Sequence, residues 1–573
     1  MTDQKNLIAA IVISVAILFG FHYFYELPRQ QRMQAEMARQ KALTAETMPA
    51  PAPGEAPTAA APASGPRDRA DILGEAQRVR IETPALHGSV ALKGGRLDDL
   101  TLAGYHVAPD KGSPEVVLLS PAGSTQPYFA EFGWIAGQDA AGQKVPGPDT
   151  VWTPQGDKLA PGQPLTLTWD NGQGLVFERE VTVDQDFMFT VVQRVRNTGG
   201  QPVTLFPYGR VVREGTPKIE GLYLLHEGPI GVLGGTLREL EYEDLRDDGS
   251  WSADTTGGWI GFTDKYWLVT LVPDQKAPVS IRATWQGQGD IYQTDYRGQA
   301  VVVQPGAAAE TTNRLFAGAK VVRVLDRYEE ELGVARFSYA IDWGWFYFLT
   351  KPFFYALEFL GRTIGNFGLG ILVFTVFLRL AFFPLANKQY ASIAKMKKLQ
   401  PQMEELRKRA GDDRQRLSME MMALYKKEQV NPLSGCLPIL LQIPVFFALY
   451  KVLYVTIEMR HAPFYGWIRD LSAPDPTTVF NLFGLIPWDP PAFLHLGALP
   501  LLFGVTMWLQ QKMNPAQADP VQQRVFMMLP FIFTYMTASF PAGLVIYWTW
   551  SNLLAIAQQW FIMRRMGVKN PAA

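Results

Sequence analysis

Cysteine is almost absent. Cys436 stands alone in 573 residues, which excludes an intrachain disulfide. Histidine is also scarce, and the six present lack the spacing that a Cys/His metal site needs. A net charge of −1 gives no overall pull toward nucleic acid, so the placement of charge says more than its sum. No phosphate-binding glycine loop, nucleophile–base pair or close carboxylate pair stands out. Catalysis, a cofactor and a metal are therefore not indicated. No internal repeat is visible either, which weighs against a secondary transporter with a cationic intramembrane site, the main rival reading.

What is present is organised around Arg379, the one charge in Gly365–Pro384 (GNFGLGILVFTVFLRLAFFP). About 20 residues at 1.5 Å each cover a ~30 Å hydrocarbon core. A charge inside such a span costs roughly 3 kcal/mol and needs a partner, a wet cavity or an escape route. Lys388 lies nine positions further on, about 13 Å along a continuous helix. Two fates are open to Arg379: snorkelling to the interface, or a polar cavity. Polar residues in other spans (Thr375, Gln442, Thr506, Thr534, Thr537, Ser551, Asn552, Gln558 and Gln559) favour the cavity.

In chain order, residues 1–27 read as an uncleaved membrane anchor, since no small-x-small site follows the apolar run Leu7–Tyr25. Residues 28–75 form a polar and then Pro/Ala-rich tether, centred on Met48–Pro66. Over 76–335, β-rich runs such as Leu97–Leu102, Leu175–Val183, Phe187–Arg196 and Val279–Trp285 alternate with turns such as Asn171-Gly172. Many short strands at this spacing predict a β-sandwich. Its tryptophans and acids admit a sugar site, but core aromatics and solvated turns explain them better. Residues 336–361 are aromatic-rich and interrupted by Lys351-Pro352, which predicts an interfacial helix.

Residues 362–573 hold the remaining spans, at about 363–384, 433–457, 494–511, 525–540 and 542–563, six in all with the anchor. Val525–Met563 carries no charge and would reach nearly 60 Å as one helix, so a bend is predicted at Ala538–Gly543. Between the second and third spans, 388–429 reads as a helical hairpin broken at Gly411. It is rich in Lys and Arg, and Arg564, Arg565 and Lys569 follow the last span, which puts both on the cytoplasmic side. Both termini then face the cytoplasm and the sandwich lies outside. Arg29, Arg32, Arg39 and Lys41 pull the other way, against several concordant downstream loops.

The run Phe377-Leu378-Arg379 with Pro384-Leu385, the stretch Asn431-Pro432-Leu433-Ser-Gly-Cys436-Leu437-Pro438, Gln442-Ile443-Pro444 and Phe540-Pro541-Ala542-Gly543-Leu544 resemble the YidC/Oxa/Alb family in its Gram-negative form. The resemblance is dense over 335–566, and the anchor–tether–sandwich order matches too. It implies a multi-domain protein of the bacterial inner membrane, with a galactose-mutarotase-like periplasmic supersandwich and a five-helix insertase core. The implied activity is insertion and folding of newly made membrane proteins, alone or with the Sec translocon. A hydrophilic groove would contain Arg379, Thr375, Gln442, Tyr547, Trp548 and Asn552. Trp548 departs from the tyrosine that many relatives have there, though its indole can still donate. Pro438, Ile443, Phe447, Thr534 and Thr537 would lie on helices that contact the client. Lys395, Lys397, Lys398, Arg407, Lys408 and Arg409 would face the ribosome and the signal-recognition-particle receptor. The lipid bilayer is an implied partner; no cofactor and no small-molecule substrate are.

Overall fold

The computed structural model describes residues 56–58, 65–110, 112–217, 225–411, 413–428, 437–488, 490–491, 494–514 and 520–567. The expected anchor, most of the tether, the Asn431-Pro432 junction and Lys569 lie outside the described residues.

The N-terminal body is two facing sheets of 11 and nine strands. In Leu175–Val183 every second residue is buried, so alternation alone marks its inner face. That strand pairs with Met188–Asn197, which pairs in turn with Ala308–Ala319. Side chains from both sheets, among them Trp259, Phe177, Phe189, Phe316 and Tyr296, fill a common core. Three helices flank this body: α1 (Arg69–Glu75), α2 (Tyr242–Asp248) and α3 (Val322–Glu331).

The C-terminal body comprises α4 (Tyr347–Ile364), α5 (Phe367–Ala381), α6 (Phe383–Ala410), α7 (Arg414–Lys427), α8 (Leu437–Val455), α9 (Ala498–Met513), α10 (Pro520–Thr537) and α11 (Ala542–Arg565). The interfacial helix expected over 336–361 begins only at Tyr347, after a short 3-10 turn at Phe337–Ala340. Helices α4 and α5 approach backbone to backbone: a Cβ on Gly370 would come within 3.0 Å of the Gly361 nitrogen.

The continuous helix from Arg379 to Lys388 does not form. The axis turns by 69° between α5 and α6, so the 13 Å separation expected along one axis does not apply. Among the described residues no single helix is both long and apolar enough to cross a membrane, although this bent pair qualifies together. The hairpin expected over 388–429 is α6 followed by α7, with a left-handed Gly411 between them. The bend expected at Ala538–Gly543 falls between α10 and α11, where Pro541 precedes the first turn of α11.

Ion pairs join the two bodies. Glu358 of α4, fully buried, accepts from Arg323 of α3 at 2.8 and 2.9 Å and pairs with Arg362 at 2.7 Å. Lys351 of α4 pairs with Asp326 of α3 at 2.7 Å, and Lys451 of α8 with Asp342. Arg460, just beyond α8, donates to the His106 carbonyl of the sandwich at 2.7 Å and lies over the Trp267 ring. Beside it, Glu458 accepts from the Val322 amide at 3.4 Å, while its buried Oε2 has no hydrogen-bond partner among the described residues.

Burial pushes the Glu458 carboxyl up to about 7. Between the ordinary carboxylate range and pH 7 the native state therefore keeps a proton that the unfolded chain releases, and stability falls as pH rises through that window. Glu458→Gln removes the effect. By scanning fluorimetry the variant should melt above the wild type at pH 8, with the gap shrinking toward pH 5.

Candidate functional site

Arg379 sits near the C-terminal end of α5, on the face turned to α11. Its Nη2 donates to the Ser551 carbonyl at 2.9 Å and to the Ser551 hydroxyl at 2.6 Å. Among the described residues no carboxylate pairs with it. Neutral oxygens therefore hold the guanidinium, and its charge is not cancelled.

It lines a small cavity together with Thr375, Leu378, Phe382, Ala386, Gln442, Val445, Tyr547 and Ser551. Thr375, one turn before Arg379, is buried and gives its hydroxyl proton to the Ile371 carbonyl at 2.7 Å. Gln442 of α8 donates to the Tyr547 hydroxyl of α11 at 3.0 Å, closing the opposite wall. Three helices thus contribute polar groups, while Leu378, Phe382, Ala386 and Val445 supply apolar lining.

Of the groove residues expected, the structure gathers Arg379, Thr375, Gln442 and Tyr547. Ser551 joins them, and its spacing from Tyr547, one helical turn on the same face, was the available signal. Asn552, the next residue, turns to α9 and donates to the Thr506 hydroxyl at 3.4 Å. Trp548 lies in an aromatic cluster, stacked on Phe446 at 5.2 Å and edge-on to Phe540. Its buried indole nitrogen has no acceptor among the described residues.

Ile443 and Phe447 are exposed on α8, whereas the side chain of Pro438 lies outside the described residues. Thr534 and Thr537 donate to the Pro530 and Thr534 carbonyls of their own helix, α10. Of the basic surface, Lys395, Lys398, Lys408 and Arg409 are exposed, and Arg409 pairs with Glu405 at 3.6 Å. Lys397 instead reaches the Met513 carbonyl at 3.3 Å, and the side chain of Arg407 is outside the described residues. Two further span glutamines are structural: Gln558 donates to Asn387 of α6 and Gln559 to Asn514 beyond α9.

The architecture is a β-sandwich docked on a helical body, with a cation held by neutral oxygens in a polar cavity of that body. The YidC periplasmic domain model matches residues 78–356, and the 60Kd inner membrane protein model matches residues 359–569. "Membrane protein insertase YidC" of Methylorubrum extorquens (strain PA1) is 51% identical over 99% of this chain and 96% of its own. The protein of that name from Sinorhizobium fredii (strain NBRC 101917 / NGR234) is 52% identical over 99% and 97%. The chain belongs to the YidC family of bacterial inner-membrane proteins. A solved structure titled as an active YidC insertase aligns over 84% of this chain and 93% of that one, at 16% identity and a TM-score of 0.34. A galactose mutarotase related enzyme from Lactobacillus acidophilus covers 42% of this chain at 11% identity and a TM-score of 0.31.

Ser551→Ala removes the hydroxyl acceptor and leaves the carbonyl. A hydrogen bond to a charged group contributes about 1.5–3 kcal/mol, so the variant should melt several degrees lower. A cysteine at position 551, in a Cys436→Ser background, should also react with a small impermeant thiol reagent from the cavity side.

Proposed function

We propose that this chain inserts newly made proteins into the inner membrane through the cavity around Arg379. The observation that carries this reading is the guanidinium held by neutral oxygens of Ser551 at a polar wall. A cation already paired with a carboxylate would have little attraction left for a client. One held only by dipoles attracts an acidic or polar segment and still lets it go, because release exposes no unpaired internal acid.

The steps follow from the lining. A polar pocket between helices shortens the apolar barrier that a client's polar tail must cross. Arg379 stabilises an acidic tail in transit, while Gln442, Tyr547 and Thr375 offer hydrogen bonds to main-chain groups. The client's own apolar helix then leaves toward lipid, beside the exposed Ile443 and Phe447 of α8. Burial of its apolar surface at about 25 cal/mol per Å² completes the transfer. Insertion breaks no covalent bond, and the chain acts as an insertase and chaperone rather than an enzyme.

The orientation proposed puts the sandwich in the periplasm and the α6–α7 hairpin with both termini in the cytoplasm. The exposed Lys395, Lys398 and Lys408 then face the side from which ribosomes and the signal-recognition-particle receptor deliver clients, with the Sec translocon as a lateral partner.

In proteoliposomes, Arg379→Ala should reduce insertion of clients with acidic translocated tails by about tenfold, which corresponds to ~1.4 kcal/mol of lost attraction. Clients with neutral tails should be affected less. Arg379→Lys should keep part of the activity, since charge matters more than the planar fork. Equal insertion by wild type and Arg379→Ala would refute the role.

A further inference from the structure

The outer face of the 11-stranded sheet carries charges that the insertion cavity does not use. Arg282, Asp295, Arg210 and Glu131 stand opposite one another on the adjacent strands Pro278–Gln286, Ile291–Arg297, Val203–Glu214 and Tyr128–Ala136. Their chain neighbours Ile281, Tyr296, Val211 and Ala130 point into the core, so this row faces away from it. The signs alternate. Arg282 donates to Asp295 at 3.2 Å, and Arg210 bridges both oxygens of Glu131 at 3.1 Å. Glu131 also accepts from Arg96 and from the Tyr208 hydroxyl.

A charged row on an outward face belongs in water, yet Glu131, Arg210 and Asp295 are no more than 3% exposed, and Gln293 on the same face is fully buried. Part of the cover is a short piece of the Pro/Ala-rich tether. Ala56 is 3% exposed, and its carbonyl accepts from Arg282 Nη2 at 2.8 Å. The Pro57 carbonyl accepts twice, from Arg210 Nη1 and from Gln293 Nε2. Both of its lone pairs are thereby used.

We propose that this face is a peptide-docking site that holds residues 56–58 of the chain's own tether through main-chain carbonyls. The site offers donors, two of them guanidiniums whose other nitrogens are anchored by Asp295 and Glu131. Proline suits it, because Pro57 brings an acceptor and no N–H that burial would leave unpaired. Alanine suits it too, since a buried neighbour must be small and apolar. The recognised chemistry is a small residue followed by proline, read by its carbonyls. Docking makes Ala56 the point where the N-terminal segment joins the sandwich. It withdraws the 11 positions up to Arg67, where the first β-bridge forms, up to about 36 Å of reach.

Glutamyl endopeptidase cuts after Glu55, and a protease needs the residues on both sides of that bond free. Full-length protein in micelles should be cut there about tenfold or more slowly than a synthetic peptide of residues 44–66, because cleavage waits for undocking. Arg282→Met should bring the rate to within about twofold of the peptide. As that change also touches the sheet, a second variant, Ala56→Gly/Pro57→Gly/Thr58→Gly, alters only the tether; measured against its own peptide, it should lose the protection as well. Wild-type cleavage at the peptide rate would overturn the proposal, as would protection undiminished in the triple-glycine variant. Protection that falls on tenfold dilution would place a second copy's tether in the site and overturn docking in cis.

Discussion

A guanidinium held by neutral oxygens, with no carboxylate partner among the described residues, is the constraint that the cavity of the helical body answers. Arg379 reaches across to α11 and donates to the carbonyl and hydroxyl of Ser551, and among the described residues it meets no carboxylate. An internal carboxylate would stabilise it more and leave a neutral pocket. Dipolar acceptors lower the cost of keeping the charge inside while leaving its field in place. The same need explains the shape of the cavity, since a charge of this kind requires polar walls on more than one helix. Those come from Thr375, Gln442 and Tyr547 on α5, α8 and α11.

The sandwich is tied to this body by charge rather than by a broad apolar seam alone. Glu358 is buried at the centre of one tie and is shared by Arg323 and Arg362. Asp342 and Lys451 make another, and Arg460 reaches back to the strand ending at His106. Glu358 is the buried member of its tie, so only the loss of both Arg323 and Arg362 would leave it buried without a counter-charge from them. The helices that line the cavity are thereby positioned from the periplasmic side by α3 and the residues around it.

Strands whose two faces see different surroundings were legible in the sequence. Leu175–Val183 alternates because one face is core and the other partly wet, and its predicted bounds match the observed ones. Tyr128–Ala136 and Ile291–Arg297 were missed for the opposite reason: both of their faces are buried. Ile291–Arg297 reads as polar because its outward side carries Gln293 and Asp295 into a covered charge row. Its alternation of Tyr292, Thr294 and Tyr296 with Gln293, Asp295 and Arg297 is blurred by the polar Thr294, so the apolar side of the pattern is weak.

In the helical part, composition and charge alone marked out the apolar segments and the basic hairpin and singled out Arg379 as a candidate, because a lone charge in an apolar run is costly wherever it folds. Three-dimensional packing decided what that charge touches. The turn of 69° after α5 removes the continuous helix that would have carried it toward Lys388. Close packing of α11 brings Ser551 into the cavity while sending Asn552 toward Thr506 and Trp548 into an aromatic cluster. Adjacent positions on one helix point about 100° apart, so Ser551 and Asn552 met different surroundings, while Trp548, one turn before Asn552, met its aromatic cluster at another height along the helix. Sequence supplies the residue types, and only the helix's rotation against its neighbours assigns each one its partner.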